Sequence, residues 1–217
     1  MTGLIVKDIC LLKQRKTTLI LFLGISFFLS LSTDASFLIS YISMVGVIMA
    51  ASIISLDEYD NGYSFLMTLP IDAKTYVLEK YSFCSIALAG SWVLALVLQV
   101  ISNTVQHVQG ALKEMFVLDL IYIPIFLLIL CFYIPVLIKF GAEKGRTAVL
   151  ILMGIVFVVF TFGSKMLSGL GVDLSKTIVR LQGIPTPVVI VAAAVLLLLL
   201  IALSLTISIR AMQKKEF

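Results

Sequence analysis

The run GAEKGRT at Gly141–Thr147 combines glycines and cations in the manner of the phosphate-binding loops of nucleotide enzymes. Its two glycines stand one residue too close together, however, and Arg146 occupies the position where such a loop has lysine. An apolar segment precedes the run, where a phosphate loop would follow a strand. We therefore expect a basic turn between two apolar segments, in which Gly141 and Gly145 let the chain turn.

Other side chains suited to catalysis are scattered. His107 is the only histidine, and no carboxylate, serine or cysteine near it in sequence completes a catalytic pair, so we expect a solvated loop residue. Asp119 lies near the start of an apolar segment. A carboxylate within a membrane is a functional candidate, but closeness to the interface favours a solvated side chain here.

No other pattern indicates catalysis or a bound metal. The three cysteines are far apart and have neither metal-ligand spacing nor an evident disulfide partner. The apolar segments contain no ladder of Asp, Glu or His, which a proton-coupled pump would need. They also lack polar groups at one depth, which an intramembrane enzyme would need. We therefore expect a protein that is not an enzyme and binds no cofactor or metal.

The composition of the chain is that of a membrane protein. Hydrophobic residues make up 61% of the 217 residues and charged residues 13%, whereas soluble domains carry about 25% charged residues. We predict an all-α polytopic membrane protein in which residues 1–217 form a single transmembrane domain. The net charge of +4 does not indicate nucleic-acid binding, because the basic residues cluster beside apolar segments.

Six apolar segments approach the length of a membrane-spanning helix, which needs roughly 20 apolar residues to cross a hydrocarbon core of about 30 Å. The first is short and forms a tight hairpin with the second. The six predicted spans are Thr17–Thr33, Ser36–Ser55, Ser82–Asn103, Phe116–Ile138, Thr147–Ser164 and Thr186–Ile209.

Lysine and arginine residues predict the orientation of these spans. Of the sixteen, four lie on one side of the layout, at Lys113, Lys165, Lys176 and Arg180, and the other twelve lie on the side of the termini. The positive-inside rule then places both termini and the long loop 56–80 in the cytoplasm.

The N-terminal arm, residues 1–16, has the pattern of an amphipathic helix. Apolar residues recur at steps of four and three while polar residues occupy the other side. Such a helix would lie in the inner membrane interface, although a positively charged lead-in to the first span explains the same residues. The residues assigned to this interfacial helix are Ile5, Ile9, Leu12, Lys13, Arg15 and Lys16.

The acidic loop 56–80 contains a helix-sized stretch, a proline stop and a second helix start. Asp60 or Asn61 can cap a short helix that presents an apolar cluster, and Pro70 ends it. Asp72 can cap the next helix, which leads into the third span. The short helix would fill a groove on a partner protein or dip into the lipid interface. Its acidic neighbours favour the partner, because they fit badly against anionic head groups.

At these residues the sequence resembles the permease subunits of ABC-2 type transporters. After their second span such permeases have an acidic residue, a glycine, a short leucine-rich helix, a Leu-Pro pair and a lysine that opens the third span. The N-terminal helix is similar to their connecting helix. The residues that the resemblance assigns to ATPase coupling are Glu58, Gly62, Phe65, Leu66, Leu69, Pro70, Tyr76 and Lys80.

The resemblance implies a transport subunit without its own ATPase site. Two permease chains, identical or related, would surround a pathway, and each would bind a separate cytoplasmic ATPase that holds ATP and Mg²⁺. The segment Gly62–Leu69 would be the coupling helix in a groove of that ATPase. The small size is similar to that of bacterial permeases that export peptides or confer resistance to antimicrobial peptides. A hydrophobic or amphipathic substrate would leave the cell through the cytoplasmic membrane.

Two alternatives stay open at this point. In the first alternative, the protein is a membrane immunity or scaffold protein that binds a toxin or a sensor kinase and transports nothing. In addition, the small residues Gly46 and Ala50, or Ala87 and Ser91, would allow close helix contact either between two chains or between spans of one chain.

Overall fold

The computed structural model describes residues 2–32, 35–59, 71–105, 116, 119–169 and 186–214. Within these ranges it describes only the backbone of residues 2, 30–32, 35–36, 59, 142–143, 146, 148–150, 152–169 and 186. Six helices account for nearly all of this part of the chain. We number them in chain order: α1 Thr2–Gln14, α2 Lys16–Ser32, α3 Ala35–Tyr59, α4 Ala73–Val105, α5 Tyr122–Gly169 and α6 Thr186–Gln213.

Four helices among the described residues are long and apolar enough to cross a membrane. They are Phe37–Glu58, Ala73–Val105, Tyr122–Gly141 and Pro187–Gln213, and they correspond to the second, third, fourth and sixth predicted spans. The first predicted span is helical as α2, but its 17 residues fall short of the roughly 20 that a span needs. The backbone of the fifth predicted span is helical within α5, and its crossing of the membrane stays a prediction.

Helix α4 has 33 residues and is about 50 Å long at about 1.5 Å per residue. It begins immediately after Asp72, whose backbone carbonyl accepts a hydrogen bond of 3.0 Å from the Tyr76 amide. The helix start predicted at Asp72 is thus confirmed. Because α4 begins well before Ser82, where the third span was predicted to start, its first turns extend past the length that the hydrocarbon core requires.

Helix α3 lies at the centre of the bundle and packs against α4 and α5. The closest approach is at Gly46, where an added Cβ would overlap the Ser91 side chain and lie 3.7 Å from the Ala87 carbonyl oxygen. Ala50 is fully buried in the same core. The small residues whose role was open between two chains and one chain thus bring α3 and α4 of one chain together.

A turn interrupts α5 at Gly141, which has φ 79° and ψ −177°. A side chain there would be strained by the positive φ and would overlap the Glu58 carboxylate at the end of α3. The turn predicted at Gly141 is confirmed. The turn predicted at Gly145 is wrong, because this residue is helical and a Cβ there would meet Leu137 Cδ2 at 3.0 Å.

Helix α6 presents mostly apolar side chains to its surroundings, and residues 187–196 are all exposed. Its polar contacts lie on the face toward α4 and α5. Tyr81 Oη shares hydrogen bonds with Ser204 Oγ at 2.5 Å and Ser208 Oγ at 2.9 Å, and Ser204 donates to the Cys131 carbonyl. An exposed apolar surface with its polar groups satisfied inside the bundle is typical of membrane helices.

We predict that Gly46→Val lowers the free energy of unfolding by about 1–3 kcal/mol, because the added side chain overlaps Ser91. Gly90→Val is the matched control, since no atom lies within 4 Å of a Cβ added at Gly90. Unfolding in detergent, followed by circular dichroism, measures both. Ser91→Gly in the Gly46→Ala background should recover stability, and equal losses for Gly46→Val and Gly90→Val would contradict the packing.

Candidate functional site: a buried ion-pair cluster beside residues 60–70

Charged side chains from three helices meet where α3 ends and α4 begins. Helix α1 contributes Lys7 and Asp8, and α3 contributes Asp57. Helix α4 contributes Glu79 and Lys80. We call these five residues the ion-pair cluster. Because α3 ends at Tyr59 and α4 begins at Ala73, the cluster lies between the two helices that flank residues 60–70.

Lys80 is the centre of the cluster. Its Nζ lies 2.5 Å from Asp8 Oδ2, 2.9 Å from Asp57 Oδ2 and 3.5 Å from Glu79 Oε2. Its side chain is only 1% exposed, and the Asp8 side chain is fully buried. An unpaired charge at this depth would be very costly, so both carboxylates are required to hold the ammonium in place.

Lys7 and Tyr76 complete the coordination of Asp57. Lys7 Nζ lies 2.5 Å from Asp57 Oδ1 and 3.1 Å from Asp8 Oδ1, while its side chain keeps 30% exposure. The Tyr76 hydroxyl donates a hydrogen bond of 2.9 Å to Asp57 Oδ2. The Lys80 ammonium also lies 5.0 Å from the centre of the Tyr76 ring, within the range of a cation–π contact. The Asp57 carboxylate therefore contacts side chains of both α1 and α4.

The charges of the cluster do not balance when every group is ionised. Three carboxylates, those of Asp8, Asp57 and Glu79, face two ammonium groups, those of Lys7 and Lys80. Glu79 is fully buried, and its contact with the Lys80 ammonium, at 3.5 Å, is the longest of the three carboxylate contacts of that ammonium. Glu79 is consequently the least well stabilised member of the cluster.

Of the residues predicted to couple to an ATPase, the structure describes three. Lys80 belongs to the cluster and Tyr76 donates a hydrogen bond to its Asp57, so both buried side chains contact this chain's own helices. Glu58 lies outside the cluster, beside Gly141. The other five lie outside the described residues: Gly62, Phe65, Leu66, Leu69 and Pro70. The coupling role of all eight stays a prediction.

Helix α1 occupies the segment predicted to be the interfacial helix. Ile5 and Leu12 pack against the core of the bundle, whereas Ile9 is exposed. The predicted cationic residues Lys13, Arg15 and Lys16 are also exposed. One face of α1 is thus part of the protein core, and its location in the membrane interface stays a prediction.

Sequence reasoning missed Lys7, Asp8 and Glu79 as members of a site, and it counted Asp57 only among the acidic residues of the loop 56–80. One signal was available for Asp8, because Leu4, Asp8 and Leu12 recur at four-residue steps and therefore share the inward face of α1. A charge in the middle of an apolar helical face requires a buried partner.

The expectation for Asp119 is wrong. Its side chain was expected to be solvated, but it is only 1% exposed. His107 lies outside the described residues. Among the residues that the structure does describe, no group of three or more His, Cys, Asp or Glu is arranged to hold a metal ion.

Comparison with known proteins adds one finding. The sequence model of a family described as ABC-2 family transporter protein matches residues 3–213, which is nearly the whole chain. Searches of curated proteins and of solved structures found no match.

We predict that Lys80→Met lowers the free energy of unfolding by about 3–5 kcal/mol, because it leaves Asp8 and Asp57 buried beside one another with less compensation. Lys74→Met on the same helix is the matched control, since Lys74 is exposed and its loss should stay within about 0.5 kcal/mol. Chemical unfolding in detergent gives both values.

A double variant separates charge from packing. Adding Asp8→Asn to Lys80→Met should recover part of the lost stability, because it removes one uncompensated carboxylate. Strictly additive losses would show that the two side chains do not act as an ion pair.

Proposed function

The chain belongs to the ABC-2 transporter family, and on that premise we propose that it is the permease subunit of an exporter powered by a separate ATPase. Membership in the family makes it a membrane transport subunit of an ABC transporter. The direction of transport, the substrate and the identity of the partner subunits belong to the proposal.

The observation that best supports the proposal is the position of the ion-pair cluster. Asp57 is close to the end of α3 and Tyr76 and Lys80 are close to the start of α4, so the cluster joins the two helices between which residues 60–70 lie. A force applied to that segment would reach α3 and α4 together. Through Asp8 it would also reach α1.

A buried network with several short contacts suits the transmission of force. The side chains of Asp8, Asp57 and Lys80 are at most 4% exposed, so water does not readily replace the contacts between them. Helix α3 continues from the cluster into its packing against α4 and α5. A displacement at residues 60–70 would therefore move packed helices as units rather than bend one loop.

In the proposed complex, two permease chains pack around a pathway and each binds one cytoplasmic ATPase. ATP and Mg²⁺ are held by that partner, and this chain binds no cofactor. The short helix at Gly62–Leu69 sits in a groove of the ATPase and moves when the two ATPases close. Six spans place both termini in the cytoplasm of a bacterial cell, and the cargo is hydrophobic or amphipathic, with peptides as one candidate class.

We predict that Leu66→Asp or Leu69→Asp weakens the affinity of the permease for the co-purifying ATPase by about thirtyfold, because central apolar anchors typically contribute about 2 kcal/mol to an interface. Lys74→Asp is the matched control, since it adds a negative charge near the same segment at an exposed position. The measurement is quantitative co-purification from native membranes, together with the ATP hydrolysed per substrate exported.

The composition of the native complex also decides between the two candidate roles. A stoichiometric ATPase supports the permease, whereas a toxin or a sensor kinase recovered without any ATPase supports the immunity or scaffold role. Unchanged complex formation and unchanged export in both leucine variants would remove the assignment of Gly62–Leu69 as the coupling helix.

A further inference from the structure

Asp119 is a buried carboxylate far from the ion-pair cluster. It lies just before α5, is 1% exposed, and its Oδ2 has no hydrogen-bond partner among the residues that the structure describes. None of the ion pairs described above involves it. A buried carboxylate with an unsatisfied oxygen is costly, so a group that supplies positive charge or hydrogen-bond donors is expected to complete this site.

The Asp119 carboxylate meets a carboxamide, and its backbone carbonyl meets an aromatic side chain. From α4, the Gln99 carboxamide lies within hydrogen-bonding reach of the Asp119 carboxylate, and Gln99 is 4% exposed. The Trp92 indole N–H donates a hydrogen bond of 3.0 Å to the Asp119 carbonyl oxygen. Phe116 packs edge-on against Trp92, with ring centres 5.8 Å apart. A buried carboxylate with an unsatisfied oxygen is a group that pairs with an organic ammonium ion.

The site lies toward the opposite end of α4 from Lys80. Nineteen residues separate Lys80 from Gln99, so the two sites are about 29 Å apart along the helix at about 1.5 Å per residue. In the proposed orientation this is the outer end of the protein. Among the residues that the structure describes, Asp119 is the one carboxylate at this site, whereas a calcium or magnesium ion needs about six oxygen ligands.

We propose that Asp119, with Gln99 and Trp92, forms a recognition site for an organic cation, namely a primary ammonium or guanidinium group carried by an amphipathic molecule. The inference that this molecule is cargo rests on the proposed function as a permease. The same ammonium chemistry is offered by the head group of phosphatidylethanolamine. In both cases the apolar part of the ligand lies among the apolar side chains of the bundle and the cation pairs with Asp119.

The sole tryptophan of the chain makes the site directly measurable. The full chain, purified into nanodiscs of phosphatidylglycerol, is titrated with dodecylammonium while Trp92 emission is recorded. We expect a saturable change in emission. The uncharged 1-dodecanol, which has the same chain length, should give none. An equal response to both compounds would overturn the proposal, because partition into lipid would then explain it.

Variants test the charge itself. Asp119→Asn should weaken the dodecylammonium response by roughly tenfold to a hundredfold, as expected for loss of a buried charge-assisted contact. Gln99→Glu keeps Asp119 and adds a second carboxylate beside it, so it should tighten binding several-fold. This second variant keeps the test decisive when Asp119→Asn folds poorly. Unchanged affinity in Gln99→Glu, or in a folded Asp119→Asn, would overturn the proposal.

Lys113 is the competing occupant, since it stands six positions before Asp119 in the sequence. When dodecylammonium is the correct type of ligand, Lys113→Gln leaves the response in place. When Lys113 itself fills the site, Lys113→Gln and Asp119→Asn should each lower the thermal unfolding midpoint by the same amount. The double variant should then lower it no further. That result would overturn the proposal.

One further measurement separates the two sources of the cation. Adding phosphatidylethanolamine to the nanodiscs should displace dodecylammonium when the lipid head group is the natural ligand, and should leave the response intact when cargo is. Either result supports a cation site. The titration needs no ATPase. If dodecylammonium gives no response while the ATPase co-purifies normally, this inference is overturned and the proposed function is unaffected.

Discussion

The ammonium group of Lys80 lies where water does not reach it, so the fold has to bring carboxylates to it from elsewhere in the chain. Asp8 comes from α1 and Asp57 from α3, and both carboxylates are at most 4% exposed. Because removal of one partner leaves the others uncompensated, the three helices are fixed relative to one another at this point. The N-terminal helix is consequently part of the bundle rather than only a membrane anchor.

Helix α4 connects two charged sites of different character. At its start, Lys80 finds its counter-ions within the same chain. Near its other end, Gln99 faces Asp119, whose Oδ2 is unsatisfied among the described residues. The first arrangement suits a permanent structural joint, and the second suits a site that is completed by another molecule. In a transport subunit, these are the expected properties of a mechanical contact and of a binding site, respectively.

The sequence predicted those features that depend on neighbouring residues. Apolar length identified the spans that became α3, α4, the first part of α5 and α6, and Asp72 marked the start of α4. Features that depend on distant residues escaped it. Asp8 and Lys80 are 72 positions apart, and no local pattern pairs them. The burial of Asp119 was missed because a span boundary uncertain by a few residues does not fix the depth of one side chain.

The close contact between Gly46 and Ser91 lies between the two ends of α4. Ser91 is about 16 Å along the helix from Lys80 and about 12 Å from Gln99. Because the ion pairs at Lys80 and the tight packing at Gly46 both join α4 to α3, the two helices would move as one rigid body, and a push from the cytoplasm would be carried along α4 to Gln99 at the far side.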